Sequence, residues 1–296
     1  MTIIIRRSPE FTEHLQKNLH KRFEEKRRTV GSRIHVSDIL PTNCIRKQYY
    51  SRTIPEIDPI SNESVHHFVR GEASEFVITN LANMGVAQAE LEMDGLIAHP
   101  DIMNTEDKEA VEESATMKPQ GHSVIVELKD TVSGKRLDIT DQRFASYLRQ
   151  ILYYLVMTGI EKGIISIRYN SRELIWIKNN SEGDYFFRPY KGKDVGIESW
   201  EVYLPKEDIA REILKNEMFR RKSLFLKALQ EKDVTILPRL PEFMRNSKCP
   251  YCKYYQRCMN EDGEIDEARE MAKEIDLLDI NGVVEFRPIS WSKHQE

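Results

Sequence analysis

The stretch Ser123-Val124-Ile125-Val126-Glu127-Leu128-Lys129 decides how this chain reads. Val124, Val126 and Leu128 alternate with Ile125, Glu127 and Lys129, the two-residue period of a β-strand. The first residues are apolar on both faces, which marks a strand in the middle of a sheet rather than at its edge. A central strand that ends in two charges has a chemical reason for them, because burying a charge is expensive. Residues two apart share a face, so Glu127 and Lys129 project together while Leu128 goes to the core.

A carboxylate beside a lysine suits phosphodiester hydrolysis. The carboxylate holds a hard divalent cation, Mg2+ or Mn2+, through oxygen. The cation polarises the phosphate and lowers the pKa of a bound water. The ammonium steadies that water or the charge that develops on the phosphate. One carboxylate is too few for such an ion. Asp101, in His99-Pro100-Asp101, is the second, and two adjacent strands would bring it to Glu127. Taken alone, a Glu-x-Lys triplet also occurs on many strands as a plain ion pair.

Outward from this strand, residues 141–158 read as a helix ending at Gly159. Gln150 and Tyr154 are four apart on it and share a face, placed to brace the ligands or touch a nucleotide. Residues 9–28 read as a basic amphipathic helix and 64–84 as a long helix ending at Gly85. Residues 87–97 alternate toward a strand, with Asp94-Gly95 as a turn signal. Residues 104–121 are polar and acidic and read as a loop insertion. Strands are expected at 163–169, 174–178 and 200–204, and a long helix at 206–230. Helices interleaved with strands indicate a mixed α/β fold.

The chain has 296 residues, of which 40% are apolar and 31% charged, enough for a sizeable core with a well-solvated surface. Its net charge of -4 counts mildly against a nucleic-acid partner. The distribution is uneven, however. The first stretch is basic, through residues such as Arg22, Lys26, Arg27 and Arg28, and the last is acidic, through Glu261, Asp262, Glu264 and Asp266. The three segments expected are a basic N-terminal helix over 1–36, a core over 37–260 and an acidic helix or tail over 261–296. No stretch reads as a signal peptide and no apolar run approaches a membrane span, so a cytoplasmic location is expected.

A reducing compartment makes structural disulfides improbable and turns attention to metal chemistry. There are four cysteines. Cys249, Cys252 and Cys258 form a Cys-x-x-Cys-x5-Cys run, and Cys44 lies far upstream. Four thiolates suit one metal centre. Zinc sites commonly pair two Cys-x-x-Cys knuckles, and only one is present, so a 4Fe-4S cubane fits better than zinc. Either centre would clip the two ends of the chain together across about 200 residues. Lys248, Lys253, Tyr251, Tyr254, Tyr255 and Arg257 surround the run. Such basic and aromatic residues suit single-stranded DNA or a shield around the centre.

Together these residues resemble the PD-(D/E)xK nuclease superfamily, and within it the CRISPR-associated Cas-four exonucleases and the RecB and AddB nuclease domains. Cys44 in Pro41-Thr-Asn-Cys-Ile-Arg-Lys-Gln-Tyr-Tyr50 is similar to the family's first cysteine. Asp101 is similar to its metal-binding aspartate, Glu127 and Lys129 to its acidic–lysine pair, and Gln150 to Tyr154 to its Gln-x-x-x-Tyr motif. Cys249, Cys252 and Cys258 are similar to its closing triad. The resemblance spans roughly residues 37–260. It implies a restriction-endonuclease-like core of a central mixed sheet flanked by helices, and metal-dependent exonucleolytic cleavage of DNA ends, commonly 5′-to-3′ on single strands. It implies work in CRISPR adaptation or DNA repair, with an integrase or helicase as protein partner. It adds the backbone carbonyl of Leu128 as a metal ligand. Where the family often has Gly-x-x-x-His, this chain has Gly71 and Glu75, an oxygen ligand that serves magnesium or manganese. His66 and His67 read as solvated helix residues. The competing reading is a non-catalytic DNA-binding scaffold with a zinc or iron–sulfur site.

Overall fold

A computed structural model describes residues 9–82, 86–104, 123–131, 137, 141–169, 172–179, 182–189, 197–240, 242–261 and 285–288. The architecture is mixed α/β. The main sheet holds β2 (Val86–Ala87), β5 (Ile102–Asn104), β6 (Val124–Thr131), β7 (Lys162–Tyr169), β10 (Ile197–Tyr203) and β11 (Glu285–Pro288). Its order is β11-β10-β7-β6-β5-β2, so β6 is an interior strand, as its apolar start demands. It runs parallel to β7 and antiparallel to β5. A smaller sheet joins β1 (Ile34–His35), β4 (Leu96–Ala98) and β3 (Leu91–Met93), and β8 (Arg172–Asn179) pairs β9 (Glu182–Pro189) in a two-stranded ribbon.

Four longer helices complete the frame: α1 (Pro9–Glu25), α4 (Asn62–Ala82), α5 (Gln142–Thr158) and α6 (Ile209–Glu231). Between α1 and α4 lie the short α2 (Val36–Ile39) and α3 (Ile45–Thr53), and α7 (Glu242–Lys248) and α8 (Tyr255–Asn260) follow α6. Helix α5 starts where Asp141 accepts the Arg143 N–H at 2.8 Å, and ends where Gly159 turns left-handed at φ 73°. Leu148, Ile151, Leu152 and Leu155 are buried. The helix lies so close on β7 that a Cβ at Gly163 would meet the Ile151 side chain at 2.7 Å. Helix α5 therefore has a fixed seat over the strands that carry the charged triplet.

Several expectations change in detail. The strand stretch expected over 87–97, with its turn at Asp94-Gly95, resolves into β2, β3 and β4. Gln88 ends the first piece at φ 55°, and Asp94 and Gly95, both left-handed, make the hairpin turn between the other two. The long helix begins at Ile209 rather than 206, because the Asp208 carboxylate caps it by accepting the Ala210 N–H. The 174–178 strand lies in the ribbon rather than the main sheet. At the end of the expected acidic helix or tail, residues 285–288 pair antiparallel with β10. The 262–284 stretch, and residues 105–121 of the expected insertion, lie outside the described residues. Within the expected N-terminal segment, Ile34–His35 form β1, which joins the small sheet beside β4. Among the described residues no helix is long and apolar enough to cross a membrane.

Candidate functional site

The register of β5 against β6 builds the site. Ile102 pairs with Val126. One step further along the same antiparallel register puts Asp101 opposite Glu127. β5 pairs only up to that point, so the Glu127–Lys129 end of β6 continues beyond it, paired with β7 on its other flank alone. This explains a departure from the sequence reading: Leu128 is half-buried rather than in the core. Its backbone N–H donates to the Asp101 carboxylate at 2.6 Å.

Glu127 is 1% exposed, and its Oε1 accepts a hydrogen bond from the Lys129 ammonium. That ammonium also stands 5.3 Å from the ring centre of Tyr147 on α5. Helix α4 brings Glu75 to the same place, where its carboxyl is hydrogen-bonded to that of Asp101. Gln88 ties this corner together. Its N–H donates to the Asp101 carbonyl at 3.2 Å, and its side-chain amide donates to the Glu75 carboxylate. Gln150 and Tyr154 share a face as expected, and the amide of Gln150 donates to the Tyr154 hydroxyl at 2.7 Å. Tyr154 is buried and feels the charges of Glu127 and Asp101, which raises its pKa further after burial itself. The exposed His66 and His67 stand as solvated helix residues.

Three acids on one buried ammonium are short of positive charge. Burial, then the neighbouring Asp101 and Glu75, push the Glu127 carboxyl up to about 8 even though Lys129 pulls the other way. Burial and Asp101 push Glu75 to about 7. Asp101 is raised by burial, with Lys129 and the Leu128 N–H opposing. For Lys129 burial acts to lower the pKa, but the carboxylates of Glu127 and Asp101 outweigh it and hold the ammonium charged. In addition Glu127 Oε2 is buried and has no hydrogen-bond partner among the described residues. An acceptor atom without a donor, in a pocket of acids that hold protons near neutral pH, fits a divalent cation. Glu75, Asp101 and Glu127 are the oxygen donors it needs. Among the described residues no three such groups already stand at coordinating geometry. A cation would relieve the mutual repulsion that raises the Glu75 carboxyl beside Asp101.

Cys258, Cys252 and Cys249 lie close enough to Cys44 to act on its thiol through space, but among the described residues no three of the cysteines stand at metal-binding spacing. Cys44 is the residue before α3. Residues 249–251 make one tight turn, with the Cys252 N–H on the Cys249 carbonyl at 3.0 Å, and the Cys258 N–H bonds to the Tyr254 carbonyl at 2.9 Å. Burial pushes the Cys44 thiol up to about 11, and Cys258, Cys252 and Cys249 each add to the shift across space. The positive charges of Lys248 and Arg221 face Cys44, and those of Arg245 and Arg239 face Cys249. Thiols with cations in electrostatic reach are chemically suited to a centre whose thiolates carry excess negative charge, as an iron–sulfur or a zinc tetrathiolate does. Of the surrounding aromatics, Tyr254 is buried and stacks on Tyr50 at 5.5 Å, a shield, whereas Tyr251 stands 86% exposed.

Gln88 and Tyr147 were not singled out from the sequence. Tyr147 had a signal, lying three residues before Gln150 and seven before Tyr154 on the same helix. Gln88 had none, since its role depends on a left-handed backbone that no local pattern signals.

No protein-family model matches the chain, and no curated protein does. A solved structure titled "Crystal structure of SSO0001" is similar at 17% identity, over 86% of this chain and 98% of that one, with a TM-score of 0.43. That likeness is too low to bear on fold or function.

Proposed function

We propose that this chain is a divalent-metal-dependent deoxyribonuclease with a restriction-endonuclease-like core. In this reading it acts in the cytoplasm on DNA ends, single-stranded ones above all, in CRISPR adaptation or repair. A 4Fe-4S cluster on Cys44, Cys249, Cys252 and Cys258 would clip its N- and C-terminal parts. One observation supports the reading: Glu75 from α4, Asp101 beside β5, and Glu127 with Lys129 from β6 act on one another through space, and the buried Glu127 Oε2 lacks a donor among the described residues.

Glu75, Asp101, Glu127 and the Leu128 carbonyl would hold Mg2+ or Mn2+. When bound, the ion supplies a polarised phosphate and a water of lowered pKa. The chain's own groups do the rest. Lys129, kept charged by two carboxylates, stabilises the negative charge that develops as the phosphate is attacked. The Tyr147 ring limits where that ammonium swings. The Asp101 carboxylate holds the Leu128 amide and so fixes the backbone between the acid and the lysine. Gln150 and Tyr154 brace the far side through their mutual hydrogen bond.

The test is degradation of end-labelled single-stranded DNA with added manganese or magnesium, by wild type, Glu127→Ala and Lys129→Ala. The reading expects cleavage by wild type and none by either variant, with both variants folded and brown. Wild type that binds DNA yet never cuts under any divalent metal would turn the assignment to a DNA-binding scaffold.

A further inference from the structure

The carboxylate site has a second neighbour that it does not itself explain. Between α1 and α4 lies a cavity of 880 Å3, within the roughly 300–1,000 Å3 of sites that take small organic groups. Arg22 of α1 and Lys26 just past its end line the cavity, as does Phe76 of α4. Glu75 and Gln88 line the same cavity, so it opens onto the carboxylate corner. Helix α1 lies outside the residues that carry the family resemblance.

The lining chemistry names its occupant. Phe76 is 69% exposed, a large ring left facing solvent beside two cations. Arg22 and Lys26 side chains are 60% and 51% exposed, and both pair with one carboxylate, Glu72. Arg22 and Lys26 share the single carboxylate of Glu72, while the other carboxylate of the cavity, Glu75, belongs to the Asp101 corner. Phe23, under the Lys26 ammonium at 5.6 Å and against Phe68 at 5.3 Å, stiffens this wall. Cations that recognise phosphate, beside an open ring that stacks a base, are the two parts of a single-strand site.

We propose that this groove takes one strand of DNA and feeds it to the Glu75–Asp101–Glu127 corner. Backbone phosphates displace Glu72 from Arg22 and Lys26, and a base stacks on Phe76. The proposal rests on the nuclease reading and locates its substrate path. Helix α1 thus becomes part of the substrate site rather than a solvated leader.

The experiment is fluorescence anisotropy of labelled oligo(dT) without added divalent metal, over a salt series, alongside the cleavage assay. Arg22→Glu with Lys26→Glu is expected to weaken binding at least about tenfold. The slope of log affinity against log salt should shrink by about 1.4, roughly 0.7 for each lost phosphate contact. Phe76→Ala is expected to cost about tenfold through lost stacking. Lys21→Glu, an exposed cation of the same helix paired with Glu25, should change neither slope nor affinity beyond the general charge effect. Glu72→Gln frees both cations and should tighten binding. A purely structural role for these pairs predicts the opposite, because α1 would then lose its tie to α4. If wild type binds and cuts while the double variant binds equally well, the groove falls and the nuclease reading stands. If Glu72→Gln weakens binding as much as the double variant, the groove also falls. If wild type binds no DNA at any salt, both fall.

Discussion

The Asp101 carboxylate accepts the backbone N–H of Leu128 at 2.6 Å. That one bond caps a strand amide that β5 no longer reaches, and it joins the acid before β5 to the peptide lying between Glu127 and Lys129. A residue proposed for metal binding is thus also a structural clasp, and the two roles can be separated.

Asp101→Asn keeps an acceptor oxygen but loses the charge; Asp101→Ala loses both. The alanine variant is expected to lose about 1–3 kcal/mol of stability by leaving the Leu128 amide without a partner. The asparagine variant should lose far less. Both should lose cleavage. Urea denaturation with a nuclease assay on the same samples checks this, and full activity in Asp101→Asn would remove Asp101 from the metal site.

Glu127→Gln and Lys129→Met should each lower cleavage by at least about a hundredfold, the scale of losing one group that stabilises transition-state charge. The two losses should not multiply in the double variant, because the side chains are bonded to each other. Single-turnover rates of the four proteins decide it.

The raised carboxyls set a pH dependence. Glu127 moves from an ordinary 4.5 to about 8 and Glu75 from 4.5 to about 7, so the folded protein binds more protons than the unfolded chain between those values. Their contribution is intact below about pH 4.5 and is lost as pH rises through 7 to 8. Metal-free protein should therefore melt at lower temperature on going from pH 5 to 8. Added Mn2+ or Mg2+ should restore the melting temperature most at the high end, where protons no longer compete. Glu127→Gln should flatten the curve. A metal-free profile that rises over this range would refute the charge arrangement.

Gln88 holds a left-handed backbone at φ 55° for the sake of its two bonds to Asp101 and Glu75. Gln88→Gly removes a strain of about 1 kcal/mol along with the side-chain bond. Stability should change little or rise, while metal affinity, read by Mn2+ titration, falls. Unchanged Mn2+ affinity would make Gln88 a turn residue only.

Cys44→Ser should bleach the brown absorption near 400 nm expected of the cluster and should loosen the C-terminal cysteine turn. The clip closes about 200 residues, so its loss removes a long-range constraint on the chain. Colourless wild type with bound zinc would exchange the cluster for a tetrathiolate zinc site while leaving the clip in place.

What the sequence alone determined is what neighbours along the chain determine. The apolar run before Glu127 made β6 interior, the two-residue period put Glu127 and Lys129 on one face, and Asp141 and Gly159 bounded α5. These follow from pleat geometry and end-capping, which act over a few residues. The pairing of Asp101 with Glu127 was legible in outline, as two acids near adjacent strands. Only the tertiary structure decided the rest: that Glu75 reaches Asp101, that Gln88 is bent to join them, that Leu128 is left half-buried, and that residues 285–288 return to the sheet. Each of these depends on which strand and helix come to lie side by side. That is set by burial of apolar faces contributed from distant parts of the chain, and no local pattern encodes it.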